Sequence, residues 1–278
     1  MIKQNTPEWL EMRKNKVGAS DAPAIMGVSP YKTAFQLWEE KMSTTMPTQN
    51  YVMKRGHDLE RIARVELEIE LEMPLIPSIK LSTKRSWMMA SLDAMSLDER
   101  VIAEIKCPGA EDHNLALLGQ VPEKYFPQLQ HQLEVCDLEM VYYYSFDGEK
   151  GKLLKVYRDD KYIKTLLKQE EKFYEYMQNF EAPPLCDRDY QAQSSPQWLS
   201  LADRWRSVSS TLKQLEDEEK ELREQLVAQC NGQNSTGAGI KVSKCIRKGN
   251  VEYAKVPELM GVDLNPYRKK ACEYWRVS

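Results

Sequence analysis

The feature that most narrows the folds open to this chain is a run of three strand-patterned segments, Leu75–Ser82, Trp87–Leu97 and Val101–Cys107, set between helical stretches. Upstream, residues 7–15 read as a helix, with Pro7 in the first turn and Trp9, Leu10 and Met12 as apolar contacts. Gly18-Ala19-Ser20-Asp21 reads as a loop that caps a short helix through Ile25-Met26, and Gly27-Val28-Ser29-Pro30-Tyr31 has turn chemistry. Thr33 caps a helix through Lys41, and a longer helix runs from about Tyr51 to Glu72, where Met73-Pro74 stops it. Downstream, Pro122–Cys136 returns to helical spacing, Met140–Phe146 and Lys152–Tyr157 form strands joined at Asp147-Gly148, and Asp159–Phe180 is a basic amphipathic helix. Pro77 suits an edge strand. Mixed strands among helices predict an α/β core over roughly residues 1–180.

Ala182-Pro183-Pro184 marks a boundary, and beyond Ser194 the pattern changes. Trp205, Val208, Leu212, Leu215, Leu222 and Leu226 follow a 3-4 spacing with Glu219 as the one polar position, which predicts a long helix with a narrow apolar seam. The expected role of that seam is packing on the chain's own core or on a neighbouring helix. Asn231–Gly239 reads as a flexible linker. Ile240–Ile246, Asn250–Ala254 and Cys272–Val277 read as a small β-rich unit, with Val256–Met260 as a short helix. The expected division is a catalytic core over 1–190 and a C-terminal extension over 191–278.

Composition removes several function classes. With 278 residues, 42% hydrophobic and 29% charged, the chain can bury a core without staples. No apolar run approaches the roughly 20 residues of a membrane helix, and the start of the chain lacks a signal-peptide pattern, so a cytoplasmic protein is expected. The six cysteines lie at least 15 residues apart, which excludes a C-x-x-C zinc or redox motif and disfavours an Fe–S cluster. His57, His113 and His131 have no metal-ligand spacing. A net charge of −3 does not suggest a nucleic-acid binder, yet Ile240 to Ser278 holds nine Lys/Arg against four acids. A protein that encloses DNA needs a basic lining, not a basic exterior.

The chemistry concentrates in Ser91-Leu92-Asp93 and Ala103-Glu104-Ile105-Lys106-Cys107-Pro108. Alternation puts Ser91 and Asp93 on one face of their strand, and Glu104 and Lys106 on one face of the next, with Leu92 and Ile105 opposite. A hairpin through Asp98-Glu99-Arg100 sets Asp93 beside Glu104. Two carboxylates and an ammonium then meet at one end of a sheet. Carboxylate oxygens suit a hard divalent cation such as Mg²⁺, and such a cluster suits phosphodiester hydrolysis. A surface Glu–Lys cross-strand pair is the plainer alternative for Glu-x-Lys taken alone.

Read together, Trp9-x-x-x-Arg13, Gly18-Ala19-Ser20-Asp21, Ile25-Met26-Gly27-Val28-Ser29-Pro30-Tyr31-Lys32-Thr33, Trp38-Glu39-Glu40-Lys41, Gly56-x-x-x-Glu60, Ser91-x-Asp93, Glu104-x-Lys106 and Tyr125-x-x-Gln128 resemble the lambda-exonuclease-like viral recombinases, the YqaJ family of the PD-(D/E)xK nuclease superfamily. The resemblance covers about residues 7–135, and its one departure in the signature is Leu92 where a proline would precede the aspartate. It implies a restriction-endonuclease-like core, a central mixed sheet flanked by helices. It also implies a 5′-to-3′ exonuclease on linear duplex DNA that leaves 3′ single strands for an annealing protein, with Mg²⁺ or Mn²⁺ as two ions and a trimeric ring as the assembly.

By the same resemblance, Asp93, Glu104 and the backbone carbonyl of Ile105 would hold metal, and Lys106 would orient the attacking water. Glu60 would sit beside the metals, with Glu66 and Glu68 as rivals on the same helix. Tyr125 and Gln128 would face the cleft and contact the substrate phosphate, with Gln130 and Gln132 as near competitors. Arg13, Ser20 and Ser91 resemble a pocket for a terminal 5′-phosphate, a reading that fits a guanidinium, two hydroxyls and a helix N-terminus after Ser20. Ser20 reads equally as a plain N-cap. A nicking or structure-specific endonuclease and a DNA-end-binding adaptor with a vestigial site are the rival functions.

Overall fold

The computed structural model describes residue 4, residues 6–43 and 51–247 and, beyond them, 249, 256, 259, 262, 265–272 and 277; over 51–58 it describes the backbone alone. The chain falls into two compact units, Met1–Ala192 and Gln193–Ser278.

The first unit is an α/β fold on a six-stranded mixed sheet. Its helices are α1 (Pro7–Lys14), α2 (Ala22–Ile25), α3 (Ala34–Met42), α4 (Tyr51–Leu71), α5 (Ala110–Leu117), α6 (Phe126–Cys136) and α7 (Asp160–Asn179). The strands are β1 (Val17–Gly18), β2 (Leu75–Leu81), β3 (Met88–Ser96), β4 (Ile102–Lys106), β5 (Met140–Phe146) and β6 (Gly151–Tyr157). The sheet runs β1-β3-β4-β5-β6, with β2 paired to the other side of β3. β2 is therefore an edge strand, as Pro77 implies, and that proline sits where the β2/β3 register shifts between Ile76 and Ser78.

Local chemistry accounts for the boundaries. Thr33 accepts from the amide of Gln36, whose side chain returns to Thr33 N–H, a capping box that starts α3. Asp159 caps α7 by accepting from Tyr162 N–H. β4 and β5 run parallel, so the chain must cross over between them, and α5 and α6 make that crossing. α6 is thereby laid against the sheet.

Alternation then sorts the core into two faces. Met88, Ala90, Leu92, Met95, Ile102, Tyr143, Leu129 and Leu133 form one buried cluster that includes α6. Ala94, Ala103, Ile105, Tyr144, Phe146, Ala63 and Leu67 form the other, under α4. Burying each large aliphatic side chain contributes roughly 1.5–3 kcal/mol. On β3 the alternation slips: Leu92 and Met95 join one cluster while Ala94 joins the other. The cause is a bulge, because Ile76 pairs with Met95 but Ser78 pairs with Leu92. Bulges re-aim side chains, and this one spans Asp93.

The second unit holds α8 (Pro196–Gln229), capped by Ser195, and the hairpin β7 (Ser235–Gly237)–β8 (Ile240–Val242). Asn231–Gly239 is thus not merely a linker, since it carries β7. Along α8 the seam side chains are exposed, Trp205 by 41% and Val208 by 60%. Asn250–Ala254 and most of the other two segments predicted near the C-terminus lie outside the described residues.

Candidate active site

The hairpin of β3 and β4 pairs Ala94 with Ala103 and Met95 with Ile102. Beyond Ala94 the Asp93 side chain takes over the ladder, and its Oδ2 accepts from Ile105 N–H at 2.9 Å. On β4, Glu104 is buried, 1% exposed, and three side-chain donors reach its carboxylate. Lys106 Nζ lies 2.5 Å from Glu104 Oε1, and Gln128 Nε2 donates to the same oxygen at 2.5 Å. Gln132 Nε2 donates to Glu104 Oε2. Gln128 and Gln132 are one helical turn apart on α6, which the crossover holds over the strand.

The competition among the three glutamines therefore resolves by direction. Gln128 and Gln132 reach Glu104, while Gln130 turns away to Tyr157 C=O and Asp159 N–H. Gln132, a rival in the sequence, is a contact the resemblance left out; its i,i+4 spacing from Gln128 was the available signal. Tyr125 donates its hydroxyl to Asp112 at 3.3 Å, and its ring stacks on Tyr143.

Charge at this cluster is unbalanced. Burial and then the neighbouring Glu104 push the Asp93 carboxyl well above its ordinary value, and the charge of Glu60 adds to the effect. Burial works to lower the Lys106 amine, but Glu104 and Asp93 outweigh it, so Lys106 is held protonated. Glu60 on α4 lies 4.0 Å from Arg64, whose Nη1 donates to the Asp93 carbonyl at 3.0 Å. Glu60 is thus tied to the Asp93 segment; its rival Glu68 instead accepts from Leu75 N–H at 2.7 Å.

Among the described residues no three His, Cys, Asp or Glu side chains form a ready-made metal cage. The donor chemistry nevertheless fits a hard cation: the Asp93 and Glu104 carboxylates offer oxygens only, in a spot with excess negative charge, and Mg²⁺ keeps several waters and needs few protein ligands. Asp93, Glu104 and the Ile105 carbonyl are the groups that would hold it.

The second cluster stands on α1. Arg13 Nη2 donates to Ser20 Oγ at 2.7 Å, and its guanidinium lies 4.8 Å from the Trp9 ring centre. Trp9 Nε1 donates in turn to Ser91 Oγ at 3.0 Å. Arg13, Ser20 and Ser91 thus come together through Trp9, whose place in the motif the sequence left unexplained. Ser20 is not an N-cap: it sits inside the 3-10 turn Ala19–Asp21, and α2 has only four residues, so little helix dipole stands behind it.

Beneath the Arg13 cluster lies a buried ion pair. Lys41, 6% exposed, spends its three N–H donors on Asp21 Oδ2 (2.7 Å), Arg13 C=O (2.9 Å) and Lys16 C=O (2.8 Å). It thereby caps the end of α1. Asp21 also accepts from Gly18 N–H at 2.8 Å. His131, buried on α6, joins Glu170 at 2.7 Å and Met89 C=O at 2.9 Å, a tie between α6, α7 and β3 with no part in a metal site.

Residues 8–139 match the YqaJ-like viral recombinase domain. The uncharacterized protein YqaJ of Bacillus subtilis (strain 168) is 30% identical over 174 residues, which are 60% of this chain and 54% of that protein. The chain spans about half the length of this curated relative. Two crystal structures of LHK-Exo, an alkaline exonuclease from Laribacter hongkongensis, one of them with dAMP, are 22% and 23% identical, with TM-scores of 0.56 and 0.55. Each likeness covers 63% of this chain and 94% of LHK-Exo, and it is a likeness of fold.

Proposed function

We propose that this chain, which carries a YqaJ-like viral recombinase domain over residues 8–139, is a metal-dependent deoxyribonuclease that digests linear duplex DNA from its ends. The observation that carries the reading is the meeting of Asp93, Glu104 and Lys106 at the bulged end of β3 and β4, with Gln128 and Gln132 closing over Glu104. Catalysis belongs to residues 1–190 and the remainder is an extension.

When bound, Mg²⁺ or Mn²⁺ polarises the phosphate and lowers the pKa of water, and two ions can also steady the leaving oxygen. The chain's own residues do the rest. Asp93 and Glu104 supply the anionic seat, and Ile105 N–H fixes the Asp93 carboxylate in place. Gln128 and Gln132 hold the Glu104 carboxylate from both sides. Lys106, as an ammonium beside Glu104, donates to the attacking water and orients it, and Glu60 stands at the rim of the same seat. Arg13 and Ser20, with Ser91 across Trp9, offer a guanidinium and hydroxyls to a terminal 5′-phosphate, so that each cut draws the new end forward. That gives 5′-to-3′ polarity and 3′ single strands, the substrate of an annealing partner in phage-type recombination. A ring of three copies around the duplex supplies processivity.

The test is one digestion series with Mg²⁺. A 5′-phosphorylated linear duplex should be degraded from its ends, releasing mononucleotides, while a covalently closed circle stays intact. Efficient cutting of the circle would replace this reading with an endonuclease.

A further inference from the structure

Tyr31 belongs to the Gly-Val-Ser-Pro-Tyr-Lys stretch, yet nothing in the mechanism above uses it. Its side chain is 73% exposed. Its backbone is the opposite, firmly built. Gly27 turns the chain at φ +75°, Val28 and Ser29 N–H both donate to Pro23 C=O at 3.0 Å, and the buried Ser29 Oγ accepts from Tyr31 N–H at 3.2 Å and Lys32 N–H at 3.3 Å. The locked turn holds this exposed ring in one place, ready to meet a ligand without a further ordering cost.

The ring stands at the end of a row that leads to the carboxylates. Lys124 Nζ lies 5.3 Å from the centre of the Tyr31 ring and 5.3 Å from that of Tyr125, and it donates to Tyr31 Oη at 3.2 Å. Lys106 Nζ lies 5.3 Å from the Tyr125 ring and 2.5 Å from Glu104. Asp112 pairs with Lys124 at 2.6 Å and fixes it between the two rings. That pairing also balances the Lys124 charge. What this spot offers a ligand is therefore the open face of Tyr31 rather than a cation for a phosphate.

We propose that Tyr31, braced by Lys124 and Asp112, is a stacking subsite for a nucleobase of the DNA strand that enters the Asp93–Glu104 seat. Aromatic faces accept any base, so the subsite steadies the strand without reading sequence. The proposal rests on the nuclease reading, and its test separates the two. Full-length Asp93→Asn protein is mixed with linear duplexes carrying 2-aminopurine at successive positions from the 5′ end. Drawing the strand into the seat unstacks its bases and raises emission, except at one position, which should stay several-fold dimmer because its probe stacks on the ring. Tyr31→Ala in the same background should restore that emission and weaken binding of a single strand roughly tenfold. Tyr31→Phe should keep both wild-type behaviours. DNA binding with identical emission at every position in the presence and absence of the Tyr31 ring overturns the subsite alone. Failure of the Asp93→Asn protein to bind any DNA overturns the subsite and the nuclease reading together.

Discussion

Two polar clusters of the first unit, the Asp93–Glu104–Lys106 seat and the Arg13–Ser20 pocket, are built on opposite electrostatic plans. Under the Arg13 pocket the buried charges close on one another: each Lys41 N–H has an acceptor, and Asp21 holds Lys41 and Gly18 N–H. In the carboxylate seat, two acids share one lysine, and Asp93 is pushed up by burial and by Glu104. A closed charge system is a foundation: Lys41 is its buried half, and the partly exposed Arg13 lies 3.7 Å from Asp21 at its outer edge. An unbalanced one favours gaining positive charge, as a proton on Asp93 or as a bound cation. The contrast predicts that damage to the seat abolishes chemistry without unfolding the chain, whereas damage to the foundation does the reverse.

The largest effect is expected at Asp93. Asp93→Asn should lower end digestion by about a thousandfold or more, the several kcal/mol a Lewis acid supplies. Calorimetric titration with Mg²⁺ or Mn²⁺ should lose its heat, and the denaturant midpoint should hold or rise, because a half-buried carboxyl crowded by Glu104 has gone. Undiminished digestion would show that the seat has been misplaced.

Next comes Lys41→Met, which leaves Asp21 buried without its main partner. Breaking such a pair costs about 3–5 kcal/mol, read as a lower urea midpoint at constant slope. Removing both charges, Lys41→Met with Asp21→Leu, should recover much of that loss. A single variant as stable as the parent would mean the pair is no foundation. Arg13→Ala sharpens the comparison from the other side, since it removes the partly exposed guanidinium and leaves Asp21 its shorter contact with Lys41 at 2.7 Å. The wild-type chain should initiate on 5′-phosphate ends about 10–100-fold better than on 5′-hydroxyl ends, the value of charge-assisted bonds of roughly 1.5–3 kcal/mol. Arg13→Ala should bring that ratio close to one, and an intact ratio would remove Arg13 from the pocket.

How much of this was legible beforehand follows from the range of each signal. Periodicity and caps are local, so Met140–Phe146 and the α3 start at Thr33 could be read directly, as could the edge placement of β2 from Pro77. The hairpin that joins Asp93 to Glu104 was legible because only Asp98-Glu99-Arg100 separates the two strand-patterned segments, and only five residues separate the strands themselves. The bulge at Asp93 was not, because it appears only in the pairing of β3 with β2. Lys41 in its motif gave no hint that it reaches Asp21, Arg13 and Lys16, twenty or more residues back, since that contact depends on how α3 docks. Gln132 stayed undecided beside Gln130, and Trp9 was read only as an apolar contact, for the same reason: their partners are on other elements. The helix-dipole support for Ser20 failed because Ser20 lies inside a 3-10 turn and the helix after it stops at four residues, just before Gly27 turns the chain at φ +75°.

The smallest effect tests the foundation by pH. Burial works to raise the Asp21 carboxyl, but the charges of Lys41 and then Arg13, with the Lys41 and Gly18 hydrogen bonds, outweigh it and hold the group below its ordinary value. In the unfolded chain an aspartate titrates near 3.9. A group whose folded pKa is depressed adds stability that is fully present above the unfolded value and is lost as pH falls through the folded one. The advantage of the wild-type chain over Asp21→Asn should therefore be constant from pH 7 to about 5 and shrink below about 4. Other acids titrate in both chains, so the difference between their urea midpoints isolates Asp21. A gap that stays level or widens below pH 4 would mean that Lys41 and Arg13 do not hold this carboxylate ionised, and the pocket would then stand on packing rather than on a closed pair of charges.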